Sequence, residues 1–82
     1  MKRLIFVSQC VDWNQWRYTI GLVEGDTIAV SYVDRVADIM LFVRCLQPAR
    51  CYVGCKDDAT TAEVVAALRS VGISANEEAK AE

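Results

Sequence analysis

Four cysteines (Cys10, Cys45, Cys51 and Cys55), the adjacent acids Asp57 and Asp58, and an aromatic run around Arg17 are the residues here that could do chemistry. The chain has no histidine, which removes Ser-His-Asp and Cys-His catalysis and every His-containing metal site. Cys10, Cys51 and Cys55 are weak candidates for a thiolate zinc site. The spacings Cys45-x5-Cys51 and Cys51-x3-Cys55 lack the paired C-x2–4-C knuckles that a closed tetrahedral site uses. Cys51 and Cys55, four apart on a strand, mark one strand face instead. Lys56 beside Cys55 would favour a thiolate, but no C-x-x-C pair accompanies it. Buried core thiols are therefore expected, with no metal and no cofactor; a cysteine-based zinc or redox protein is the second alternative.

The aromatic run, Trp13, Trp16, Arg17 and Tyr18, sets rings beside a cation, as a base-stacking platform would. Charge opposes that use. Nine Lys and Arg stand against eleven Asp and Glu, a net charge of −2, so no bulk positive charge meets a phosphate backbone. Residues 1–52 hold six basic and five acidic side chains, and residues 53–82 three basic and six acidic. Trp16 and Tyr18 read better as part of a sheet-face core.

These residues must be positioned by one small domain. The chain has 82 residues, 54% of them hydrophobic and 24% charged, too apolar for a disordered segment. Residues 1–74 are expected to form a single α/β domain, and 75–82 a polar, acidic, disordered tail. Lys2–Gln9 predicts a central strand, apolar on both faces, and Cys10–Gln15 an irregular polar stretch. Trp16–Val23 alternates, with Trp16, Tyr18, Ile20 and Leu22 on one face. Glu24-Gly25-Asp26 makes a hairpin turn into Thr27–Val33, where Ile28, Val30 and Tyr32 alternate with Thr27, Ala29 and Ser31. Asp34 is the expected N-cap of a helix from Arg35 to Leu46, stopped by Gln47-Pro48. A short strand over Arg50–Cys55 follows. Thr60-x-x-Glu63 reads as a capping box opening a second helix, with the stripe Val64, Val65, Leu68 and Val71, ended at Gly72.

Hairpins joining the first three strands, and a right-handed crossover placing the fourth beside the first, give sheet order 3-2-1-4 with strands one and four parallel. This α+β (α/β two-layer) layout resembles the N-terminal half of the ribonuclease H-like fold in topology only. The carboxyl ends of the parallel strands would gather Ser8, Gln9, Cys10 and Asp12 with Cys55, Lys56, Asp57 and Asp58, where a carboxylate cluster could hold Mg²⁺. The resemblance implies acids inside the first strand, on the first helix and after the fourth strand. This chain has Phe6 and Ser8 at the first place, offers only Asp38 at the second, and has Asp57 or Asp58 at the third. No catalytic residues are assigned, and an enzyme is not expected.

The first helix carries the informative anomaly. Val36, Ile39, Met40, Val43 and Leu46 make one broad apolar face for the sheet, yet Leu41, Phe42 and Cys45 fall on the other side. An exposed Leu-Phe pair suits contact with another chain. If both helices cover one sheet face, the other must also be covered, by a second copy most economically. That face carries either the Trp16–Leu22 set or its neighbours.

The expected function is thus a small non-enzymatic protein-binding module. An adaptor or inhibitor of the kind mobile elements carry fits this size and acidity, acting through an apolar surface as a homodimer. Leu41, Phe42, Trp13, Trp16 and Tyr18 are the expected contacts. A nucleic-acid-associated protein with a degenerate ribonuclease H-like fold is the alternative. The apolar run Leu4–Val7 stops short of the roughly 7–15 residues of a signal-peptide core, and no stretch nears the roughly 20 apolar residues of a membrane span. A soluble cytoplasmic protein is expected.

Overall fold

A computed structural model describes residues 2–77. The elements are β1 (Arg3–Asp12), β2 (Gln15–Glu24), β3 (Thr27–Val33), α1 (Val36–Leu46), β4 (Arg50–Gly54), α2 (Asp58–Ser70) and β5 (Ala75–Glu77). They form one five-stranded sheet in the order β3-β2-β1-β4-β5. β3, β2 and β1 are mutually antiparallel neighbours, while β1, β4 and β5 run parallel. This is the expected α+β topology with one strand added.

β1 pairs with β2 from Arg3↔Glu24 to Asp12↔Gln15, leaving only Trp13 and Asn14 in the turn. The irregular stretch expected over Cys10–Gln15 is corrected: the strands continue to Asp12 and resume at Gln15. Trp13 (φ 51°) and Asn14 (φ 62°) are both left-handed, the requirement of a two-residue hairpin turn that usually employs Asn-Gly. With tryptophan in place of a permissive residue, that signal is hidden. The β2–β3 turn carries Gly25 at φ 60°, as expected of its glycine.

Both helices lie on one face of the sheet. Ile5 and Val7 of β1, Ile20 of β2, and Cys51 and Val53 of β4 are buried there against Ile39 and Val43 of α1 and Val64, Val65 and Leu68 of α2. Strand parity places Tyr18 and Leu22 on this same face, where both pack against the core. The apolar stripe expected of α1 is the one observed: Val36, Met40 and Leu46 border the buried Ile39 and Val43.

Both expected helix starts are corrected. Arg35, not Asp34, is the N-cap of α1, and it makes no side-chain cap hydrogen bond. Asp34 is engaged elsewhere, accepting from Arg17 Nε at 2.7 Å. For α2 the cap is Asp57, whose carboxylate accepts from the Thr60 N–H at 2.7 Å, so the helix begins before the Thr60–Glu63 box. A carboxylate placed three residues earlier satisfies the same orphan N–H groups and meets the positive helix end.

The acidic tail expected from Ala75 is also corrected in part. Ala75–Glu77 pairs with Cys51–Val53, and Ala75 is buried. The Cys51 N–H donates to the Ser74 carbonyl at 2.9 Å and Arg69 Nε to the Ala75 carbonyl at 2.8 Å, fixing the segment. The rest of that expectation, residues 78–82, lies outside the described residues.

Candidate protein-contact surface

The carboxyl ends of β1 and β4 do converge. Gln9 Oε1 accepts from the Lys56 N–H at 2.9 Å, and the Cys55 N–H donates to Thr61 Oγ1 at 2.9 Å. The Lys56 ammonium lies over the Trp16 ring, 5.3 Å from its centroid. Burial pushes the Tyr18 hydroxyl above its usual pKa, and the negative charges of Cys55, Glu63 and Asp57 add to that. The Cys55 thiol is raised too, first by burial; the Thr61 hydrogen bond opposes this and Asp57 reinforces it. Lys56 thus covers an indole and does not leave Cys55 with a lowered pKa.

Among the described residues no group of three or more His, Cys, Asp or Glu side chains is placed to hold a metal ion. Asp38 is paired with Arg35, at 3.2 and 3.3 Å, and Asp57 is turned to the helix end. The cysteines are likewise dispersed. Cys51 is buried on the helix face, and that burial pushes its thiol up to about 12. Cys10 lies on the opposite sheet face by strand parity and accepts from Thr19 Oγ1 at 3.3 Å. Cys45 is exposed on α1.

Asp57 supplies a pH test of the cap. The Thr60 N–H, then the Thr60 hydroxyl, hold its pKa below the ordinary value of 3.8. A carboxylate depressed in the folded state contributes stability that is complete above the ordinary value and lost as pH falls through the folded one. Urea titrations at neutral pH and below 3.8 should therefore show Asp57→Asn narrowing the stability difference between the two. An unchanged difference would remove the cap from the account.

The exposed apolar side chains concentrate on the face without helices and along its β3 side. Register puts Leu4, Phe6 and Ser8 of β1 on that open face, beside Val23, Gly21 and Thr19 of β2. Ile28, Val30 and Tyr32 of β3 continue the rows outward, 72%, 54% and 55% exposed. Phe6 stacks on Tyr52 of β4, with centroids 5.5 Å apart and planes at 23°. Gly21, between Phe6 and Val30, leaves a dip in this row; a Cβ there would meet nothing closer than 3.8 Å. Arg17 lies over the Tyr32 ring at 5.8 Å, anchored by Asp34.

No family model matches this chain, and no curated protein matches it in sequence. On the helix side, α1 presents Leu41, 64% exposed, above a hollow of about 470 Å³ lined by Val33, Asp38, Leu41, Phe42, Cys45 and Leu46. Phe42 is half-buried and packs against the core, so of the two expected helix contacts Leu41 is the one wholly at the surface. Trp13 is 88% exposed at the β1–β2 tip, Trp16 is partly covered by Lys56, and Tyr18 is turned to the core.

Ile28, Val30 and Tyr32 are not among the contacts expected from the sequence. Their alternation is legible, but alternation alone does not say which face the helices take.

Proposed function

We propose that this chain is a protein-binding module that acts through the apolar surface around β3. The observation that carries the reading is the exposure of Ile28, Val30 and Tyr32 on one side of β3, with Leu41 and its hollow on the α1 side. Isolated exposed apolar residues are ordinary on a folded protein, but a contiguous set flanking one strand is the pattern of an association surface. Its composition suits that role: a tyrosine under a guanidinium, aliphatic neighbours and a dip at Gly21 offer anchor and pocket together.

Sedimentation of the fluorescently labelled chain, alone and in cell extract, tests this. The wild-type chain should sediment faster than a monomer. Leu41→Asp should return it to monomer mobility while unfolding stays cooperative. Monomer mobility of the wild type under both conditions would contradict the reading, and so would loss of the fold in Leu41→Asp, which would make Leu41 a core residue. Phe42→Asp is expected to damage the fold itself, because Phe42 packs against the core.

A second reading rests on the same open face. The Phe6–Tyr52 stack, Tyr32 and the guanidinium of Arg17 are the ingredients of a single-strand stacking platform. The net charge of −2 weighs against it. Binding of single-stranded DNA at low salt that is lost in Tyr52→Ala would favour this reading over a protein partner.

A further inference from the structure

The two edges of the sheet are unlike. The described part of β5, Ala75–Glu77, carries the charge of Glu77, whereas β3 is seven residues long and reads Thr-Ile-Ala-Val-Ser-Tyr-Val, without a charge, a proline or a break in register. Natural sheets protect a free edge by shortening it, charging it, bulging it or inserting proline. β5 follows that practice and β3 uses none of these devices. We propose that β3 pairs antiparallel with β3 of a second copy, about a two-fold axis at Val30, joining the two sheets into one.

The proposal rests on the protein-binding reading and names its partner. The two-residue turn at Gly25-Asp26 closes on a hydrogen-bonded pair, Glu24 with Thr27, so Thr27, Ala29, Ser31 and Val33 direct their backbone groups to β2. Ile28, Val30 and Tyr32 direct theirs to the free edge. With Val30 on the axis, Val30 meets Val30 of the second copy and Ile28 meets Tyr32 of the second copy. Each such pair exchanges two backbone hydrogen bonds. The same three side chains stand on the open face, so aliphatic and aromatic groups meet across the junction.

Size agrees with a second copy. In this register Asp26 of one copy lies opposite Asp34 of the other, whose carboxylate is already met by Arg17 of its own chain. An edge of seven residues is about 24 Å long, and the sheet layer with the Leu41 flank of α1 beside Val33 is together roughly 20 Å deep, so a junction that includes both buries about 1,000 Å² in total, at the lower limit of specific interfaces.

Light scattering in reductant, over a wide concentration range, tests the pairing. The wild type should reach twice 9.1 kDa, and Val30→Lys, which sets like charges on the axis, should stay at 9.1 kDa while still unfolding cooperatively. The register has its own test. The double variants Ile28→Lys with Tyr32→Lys and Ile28→Glu with Tyr32→Glu should each be monomeric alone and dimerise when mixed, because positions 28 and 32 face each other. A wild type that stays at 9.1 kDa overturns the two-fold pairing, yet leaves the protein-binding reading to be decided in cell extract. A dimer that survives in Val30→Lys, or double variants that ignore each other, overturns the edge and its register.

Discussion

Ile39→Ala is expected to lower the free energy of unfolding by about 2–5 kcal/mol, while Leu41→Ala, two positions along the same helix, changes it by less than about 0.5 kcal/mol. Ile39 is fully buried between the sheet and the helices, so truncation removes apolar contact and leaves a cavity that the neighbouring strands cannot close. Leu41 is mostly in water already, and its truncation opens no void. The contrast is informative because both residues are aliphatic and lie on one helix. Urea denaturation of the two variants below the concentration of association measures it directly. Equal losses would mean that the α1 flank is internal, and the proposed surface would shrink to the open sheet face.

Tyr32→Ala should weaken association by roughly thirtyfold, the effect of losing about 2 kcal/mol at an interface anchor, and should leave the unfolding transition of the monomer nearly in place. Tyr32 is 55% exposed, so truncation takes little from the core. Its ring is nevertheless held, because the Arg17 guanidinium lies over it and is itself fixed by Asp34. A ring already ordered in the free protein loses less freedom when a partner covers it. Titration by sedimentation equilibrium gives the affinity, and a change below threefold would remove Tyr32 from the energetic centre.

Much of the fold is legible in the sequence, for identifiable reasons. The β2–β3 hairpin announces itself by strict alternation around a glycine turn. The two helices show apolar stripes at helical spacing, and the right-handed crossover rule then sets β1 beside β4. The features that escape are those decided by a competing local interaction. Trp13 in a left-handed turn carries no turn signature. Asp34 is as good a cap as Asp57, but Arg17 claims it from the neighbouring strand. Ala75–Glu77 is too short and polar to read as a strand, and becomes one because Ser74 and Arg69 fix its backbone.

The candidate surface divides in the same way. Leu41 is visible on a helical projection as an apolar residue away from the sheet-facing stripe. The sheet residues are visible only as two alternating sets, and nothing local chooses between them. The choice is made by the helices, which cover the face bearing Ile5, Ile20 and Val53 and so take Tyr18 inward. Ile28, Val30 and Tyr32 are left outside as a consequence. Trp16 belongs by parity to the covered set, but lies at the strand end where Lys56 shelters its ring.

Amide hydrogen exchange along β3 reads pairing at this edge residue by residue. In a free chain the N–H groups of Ala29, Ser31 and Val33 are bonded to β2, while those of Ile28, Val30 and Tyr32 face solvent, so protection alternates residue by residue. With β3 as the association surface, raising the protein concentration should abolish the alternation and slow exchange at Ile28, Val30 and Tyr32 to the level of their neighbours. Alternation that persists unchanged at every concentration, in a sample that light scattering shows to be associated, would contradict pairing at this edge.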